Sequence, residues 1–461
     1  MKKVVIILPR GEAIKNFVYT GITDVLRKEY KIIFFSVVPN LELKDYLIGK
    51  CDEFHELKAS NTQNRYANQV KKILDLAHGK QLNSVTGNLK IVKDDLISKR
   101  NKKTRLSRIG RKIVASFFTT HKGLNWLTQY FIKKNYKNDA VLKYQKTLKD
   151  IAPDIVFNTS HIHNLIALDL LYAVKKLQLK TAAFMFSWDN LTSQGRIIPN
   201  YDYYFTWNDK IKIDLLRLYP QINKGSVFVT GTPQFDFHFN KQFIDTKERL
   251  YTALGISNEK KIVLYSTGMS YYCPKEHLIV QEVEKVLNKI DKDLQLVVRI
   301  YAKDDNTAYY QLRDKNPNIC IPEHYWELNH LTPTIKDITL FNSLLHHCTI
   351  GINVASTVSL DLAIVNKPII NIAFNPPGVD IYPNDYKKIY EFDHYKPIVN
   401  SGAISLAKNQ KDLEEQLRQY LECPSYKENE RKKLVQDFFG DTLNNDNTST
   451  FAIIFKSLLS K

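Results

Sequence analysis

Continuous apolar runs alternate with stretches of helical period through the first half of the chain. The runs are "VVIILP" at 4 to 9, "KIIFFSVV" at 31 to 38, "DIVFNTS" at 154 to 160, "KTAAFMFS" at 180 to 187, "YDYYFTW" at 201 to 207 and "SVFVTGTP" at 226 to 233. The pattern restarts with "KIVLYSTG" at 261 to 268, "LQLVVRIY" at 294 to 301, "NICIPE" at 318 to 323, "CTIGIN" at 348 to 353 and "PIINIAF" at 368 to 374. Apolar strands separated by helices predict parallel sheets covered on both faces. Two Rossmann-like, doubly wound α/β domains follow, 1–240 and 241–448, with a boundary in 236–258 and a last helix over 449–461. In such sheets ligands sit beyond the carboxyl ends of the strands, so two domains face to face are expected to line one cleft.

Between 60 and 150 the strand signal vanishes and a polar, helical insertion takes over, carrying "KRNKKTRLSRIGRK" at 99 to 112. After it, Phe117, Phe118, Leu124, Trp126, Leu127, Tyr130 and Phe131 interleave with lysines. Two readings stay open. A basic amphipathic stretch suits an anionic membrane surface, with apolar groups in the interface and Lys and Arg at the headgroups. Alternatively the aromatics dock on the first domain's core and the basic run is a solvated face.

Composition narrows the partners. The 461 residues are long enough for two cores, and 44% apolar with 25% charged residues is ordinary for a folded chain. A formal charge of +18 draws the protein to something anionic: nucleic acid, phospholipid or a phosphorylated substrate. The five cysteines are scattered and form no CxxC pair, which fits a reduced, cytoplasmic protein, and no apolar run is long enough to span a membrane. No RRM, KH or helix-turn-helix signature accompanies the basic run, so nucleic acid is not an expected partner.

The segment "GINVASTVSLDLAIVNKPIINIAF", 351 to 374, reads strand, short helix, strand. Ser356 and Thr357 lie where strand turns into helix, so their hydroxyls and the free helix amides can receive a phosphate. Asp361, a turn later, can accept from ribose hydroxyls. Equally, Ser356 or Thr357 can cap the helix and Asp361 can face solvent.

This segment resembles the sugar-nucleotide segment of GT-B glycosyltransferases that build bacterial surface polysaccharides: a Ser-Thr pair, an acid a turn later, then "KP" and an apolar strand. "FSWDNLTSQG" at 186 to 195, "FTWNDKIKIDLLRLYP" at 205 to 220, "VFVTGTPQFDFH" at 227 to 238, "YEFDHYKPIVNSGAISLA" at 390 to 407 and "FFGDTLNNDNTST" at 438 to 450 extend the likeness, which takes in relatives of the CDP-glycerol polymer transferases and UDP-glycosyltransferases. It covers 180 to 460. It implies the GT-B fold, an N-terminal acceptor-binding domain, a C-terminal nucleotide-sugar domain and a final helix that crosses back to the first domain. One departure stands out. Where such enzymes carry R-x-H-P-x-D, with the His on the donor phosphates, this chain reads "RIYAKD" at 299 to 304. The diphosphate is then left to Arg299, Tyr301 and the Ser356/Thr357 turn.

Glycosyl transfer with inversion needs a base for the acceptor hydroxyl and dipolar or positive groups for the leaving phosphate, with no obligatory metal or other cofactor. Candidate bases are Asp189 in "SWDN", Glu12 in "PRGEAIKNF" and His161 in "NTSHIHN". Asp189 can equally organise an Asx turn. His161 and His163 have metal-ligand spacing but no evident third ligand; one of them is expected on substrate. Asn190, Trp188 and His163 are the acceptor-side candidates. On the donor side stand Ser356, Thr357, Asp361, Arg299, Tyr301, Gly268, where a glycine permits close backbone approach, and His394 in "FDHYKP".

The leading expectation is a glycosyltransferase moving a sugar from a nucleotide-sugar to a lipid-linked or growing glycan acceptor, held at the inner membrane face by its basic insertion. Three others remain: a polyol-phosphate transferase of the CDP-glycerol type, which attacks phosphorus; a UDP-sugar 2-epimerase, disfavoured because "TGMSYYCPKE" stands where those enzymes carry a histidine- and arginine-rich loop; and a basic membrane- or RNA-binding protein without catalysis.

Overall fold

The computed structural model describes residues 1–58, 65–99, 101–135, 139–162, 165–443 and 447–460. Its backbone divides into two compact units: Met1–Gln234 with Glu327–Thr332 and Thr442–Lys461, and Phe235–Trp326 with Pro333–Asp441.

The first unit holds a seven-stranded sheet of β1 (Lys3–Leu8), β2 (Lys31–Ser36), β3 (Glu53–Glu56), β4 (Ile155–Asn158), β5 (Thr181–Phe184), β6 (Tyr203–Thr206) and β7 (Val227–Val229), all parallel, in the order β3-β2-β1-β4-β5-β6-β7. The second holds β8 (Lys261–Ser266), β9 (Leu294–Arg299), β10 (Ile319–Cys320), β13 (Ile350–Asn353), β14 (Ile369–Ile372) and β15 (Ser405–Ala407), also parallel, in the order β10-β9-β8-β13-β14-β15. Between β10 and β13 in sequence, β11 (Trp326–Glu327) and β12 (Thr332–Pro333) pair with each other. Val4, Val5, Ile6 and Ile7 of β1, and Ile350 and Ile352 of β13, are buried, as a sheet covered on both faces requires.

Every apolar run singled out in the sequence is a strand; besides the short β11–β12 pair, two strands of the parallel sheets were missed, for a physical reason. β3 is an edge strand, "EFHE", only half-buried, so it carries no continuous apolar run. β15 is three residues long at the opposite edge.

The strand order reverses between β1 and β4 in the first unit and between β8 and β13 in the second. At such a reversal the flanking helices leave to opposite faces, opening a crevice at the strands' carboxyl ends. In the first unit that edge carries the residues after Leu8 and Asn158; in the second, those after Ser266 and Asn353.

Among the described residues the insertion is five helices: α1 (Arg65–Leu82), α2 (Val85–Lys99), α3 (Lys102–Ser116), α4 (His121–Asn135) and α5 (Asp139–Ile151). α1 packs on α2, α3 and α4. Its aromatics divide between the two expected readings. Leu124, Leu127 and Phe131 dock inward, whereas Phe117 and Trp126 are exposed, Trp126 stacking between Phe118 and Tyr130 at 5.5 and 5.4 Å. Leu106, Ile109 and Ile113 form an exposed stripe on α3 among basic residues. No helix among the described residues is long and apolar enough to cross a membrane. The last helix lies in the first unit, where Phe451 and Phe455 join Phe157 and Phe205 in a ring cluster with centroids 5.0 to 6.0 Å apart.

Candidate active site

Two clusters of side chains gather, one at the carboxyl edge of each sheet.

In the first unit, Asp189 sits in the loop after β5, half-buried, and accepts from three neighbours: Ser187 Oγ at 2.5 Å, Asn190 Nδ2 at 3.2 Å and, on its other oxygen, Ser193 Oγ at 2.6 Å. The expected turn organiser and a carboxylate with a lone pair still available are thus the same residue. Asn190 turns inward and accepts from the Ser187 amide at 2.8 Å, and Trp188 is buried, so both shape the loop. His161, after β4, is 1% exposed, and its Nδ1 lies 3.2 Å from both the Phe184 carbonyl and the Phe186 amide. Burial pushes its pKa down to about 4, so the ring is neutral at pH 7 and braces the loop backbone. Glu12, after β1, pairs with Arg10, whose guanidinium lies 5.5 Å over the Phe186 ring. Asp189, His161 and Glu12 therefore share one edge, while His163 lies outside the described residues.

In the second unit, the chain leaves β13 through Ala355, which has φ of +40°, into a helix at Val358–Ile364. Ser356 Oγ accepts from the Val358 amide at 3.1 Å, a local cap, and Ser356 and Thr357 remain half-buried. Behind them Ser359, Asn353, Asn371 and Tyr395 form a buried hydrogen-bond network with distances of 2.8 to 3.3 Å, which fixes the turn. Asp361, expected to meet ribose or solvent, is 8% exposed and instead accepts from His238 Nε2 at 2.8 Å. Arg299, expected on the diphosphate, is 9% exposed and donates to Asp337 Oδ2 at 2.6 Å and to His324 Nδ1. Its strength goes into the unit's interior. Gly268 and Tyr301 line one cavity of about 300 Å³ after β8 and β9, and the Tyr301 amide donates to Thr267 Oγ1 at 2.8 Å. His394 stands beside Phe392, ring centroids 5.7 Å apart, one residue before the network's Tyr395.

Sequence reasoning missed Glu276 in that cavity. Its Oε1 accepts from Tyr265 OH and its Oε2 from the Gly268 amide, each at 2.9 Å, and burial pushes its pKa from 4.5 up to about 8. Because the folded chain binds this proton more tightly than the unfolded one, the contribution to stability is complete below pH 4.5 and lost as pH rises through about 8. Wild type should therefore lose roughly 3 to 5 kcal/mol against Glu276→Gln over that window. Parallel urea midpoints across the range would contradict it. Only its place at the start of a helix, "KEHLIV", could have hinted at a role.

A family model for CDP-glycerol:poly(glycerophosphate) glycerophosphotransferase matches residues 173–449, more than half of the chain. The chain belongs to this family. Its kin in fold include the UDP-GlcNAc 2-epimerase of Neisseria meningitidis bound to UDP-GlcNAc, 13% identical over 100% of both chains, TM-score 0.55. They also include the S. aureus MnaA-UDP complex, 12% identical over 96% of this chain and 94% of that one, TM-score 0.53. A histidine-to-asparagine variant of the wall teichoic acid polymerase TagF is 10% identical over 100% of this chain and 89% of that one, TM-score 0.52. No curated protein matches. This glycerophosphotransferase-family chain has the GT-B fold and is a transferase of a nucleotide-activated sugar or polyol phosphate.

Proposed function

We propose that the protein transfers a polyol phosphate from a nucleotide-activated donor to a hydroxyl of a surface polymer under construction. The observation that supports this reading is the glycerophosphotransferase match, which runs through both the Asp189 loop and the Ser356 turn. In this reading the reaction takes place at phosphorus rather than at an anomeric carbon. The acceptor oxygen bonds to the distal phosphorus of the donor, the bond from that phosphorus to the bridging oxygen breaks, and a nucleoside monophosphate leaves. Asp189 takes the acceptor proton, with Ser187 and Ser193 fixing its carboxylate. The Ser356/Thr357 turn and the Gly268 cavity bind the donor.

Glycosyl transfer is the second reading, favoured by the likeness of "GINVASTVSLDLAIVNKPIINIAF" at 351 to 374 to the sugar-nucleotide segment of GT-B glycosyltransferases. The linkage formed separates the two. Incubation with polyol-phosphate and sugar nucleotides should give a product with a new phosphodiester signal in phosphorus NMR. A product extended by sugar without added phosphorus would select the second reading.

A further inference from the structure

The first unit contains a cavity of about 540 Å³ between the insertion helices and the loop at 192–198. Its walls carry Lys71, Lys72, Lys90, Arg108, Arg111 and Arg196 against Asp75 and Asp94. Some of that charge is answered within the fold. Lys71 pairs with Asp75, and Arg108 with Asp94 and Asp95.

Arg196 is different. It is 5% exposed, its Nε donates to Thr128 Oγ1 at 3.1 Å, its Nη2 donates to Asn125, and it lies 4.8 Å over the Tyr219 ring. All three partners are neutral, and its Nη1 is buried with no hydrogen-bond partner. Among the described residues no carboxylate forms an ion pair with it; burial pushes its pKa down, and the groups that act on its charge are Tyr219 and Tyr204. Lys90, on α2, donates to the Ser193 carbonyl and is likewise shifted down by burial. A guanidinium taken out of water with only neutral partners costs several kcal/mol unless an anion joins it. The planar fork of Arg matches phosphate oxygens, and flanking lysines suit a ligand with more than one charge. Leu76, Ile91 and Phe131 supply apolar walls for the carbon skeleton between charges.

We propose that this cavity is the subsite for a phosphate group of the acceptor, a phosphodiester or diphosphate next to the hydroxyl that reacts. The assignment rests on the transferase reading above. Thr192 and Ser193 form part of the cavity wall, and Ser193 Oγ donates to Asp189 Oδ2 at 2.6 Å, so the ligand lies one side chain from the base.

The test measures equilibrium binding of two probes to the full chain: a soluble glycerol-phosphate oligomer, and a lipid diphosphate in neutral detergent micelles. Wild type should bind at least one, with affinity falling as salt rises, and the one bound identifies the source as polymer or lipid carrier. Arg196→Gln should weaken that probe by about tenfold or more, the range for a lost charge-assisted bond. Because Arg196 also braces α4, the Lys72→Gln/Arg111→Gln pair is measured beside it and should weaken the probe similarly while leaving nucleotide donor affinity unchanged. Equal affinities in wild type and both variants, or no binding of either probe, overturn the subsite even if donor binding and transfer persist. A wild type that binds the probes but neither binds nor turns over any nucleotide donor overturns the acceptor assignment together with the transferase reading.

Discussion

Replacing Asp189 by asparagine should lower turnover by about two to four orders of magnitude, the usual share of a positioned general base, while donor affinity stays within about twofold. The carboxylate is half-buried, is oriented by Ser187 and Ser193, and stands at the carboxyl edge of β5. Asparagine keeps the shape but cannot take a proton. It also replaces one accepting oxygen with a donor, so the loop itself could loosen. Asp189→Gly with added formate separates the two effects, since a small carboxylate restoring part of the turnover requires a missing base. Turnover close to wild type in Asp189→Asn would pass the role to Glu12, because the Nδ1 of His161 faces backbone and burial, which holds its pKa down to about 4, makes the ring a weak base.

The largest effect on stability should come from Asp337→Ala, about 3 to 5 kcal/mol in urea unfolding, because it leaves a buried charge without its partner. Asp337 is 3% exposed and accepts from Arg299 Nη2 at 2.6 Å, Trp326 Nε1 at 2.7 Å and the Tyr325 amide at 3.2 Å. With it gone, Arg299 keeps His324 and the Phe341 ring at 6.0 Å, neither of which carries negative charge. His324 is already held down to about 4 by burial and by Arg299 itself. Adding Arg299→Ala to Asp337→Ala should recover part of the loss, since the orphaned charge goes too. A single-variant cost below about 1 kcal/mol would mean that water reaches the pair.

The same pair shows where sequence reading stops. Strands were legible because a parallel sheet buries both faces, so "VVIIL" and "KIVLY" need no partner to declare themselves. The turn at Ser356 was legible because strand, hydroxyl pair and helix are contiguous. What Arg299 does was not. Its position at the end of β9 is visible in "LVVRIY", but its partner is 38 residues away, and nothing in spacing distinguishes an inward guanidinium from one facing a ligand. Asp361 is the same case, tied to His238 across 123 residues. The insertion's basic character was plain, yet its sorting into surface, ion pairs and a cavity wall depends on contacts such as Arg196 to Asn125, 71 residues apart. Local periodicity encodes elements; the fate of a charged side chain is decided by what the fold sets beside it.

Calorimetry against UDP-, GDP-, CMP-, CDP- and dTDP-linked compounds tests the central claim most directly, with Ser356→Ala/Thr357→Ala alongside. The account predicts saturable binding of one nucleotide class by wild type, weakened by about 1 to 3 kcal/mol in the double variant, as expected for lost hydrogen bonds to a charged group. Absence of binding to every compound, or a double variant that binds as tightly as wild type, would contradict it.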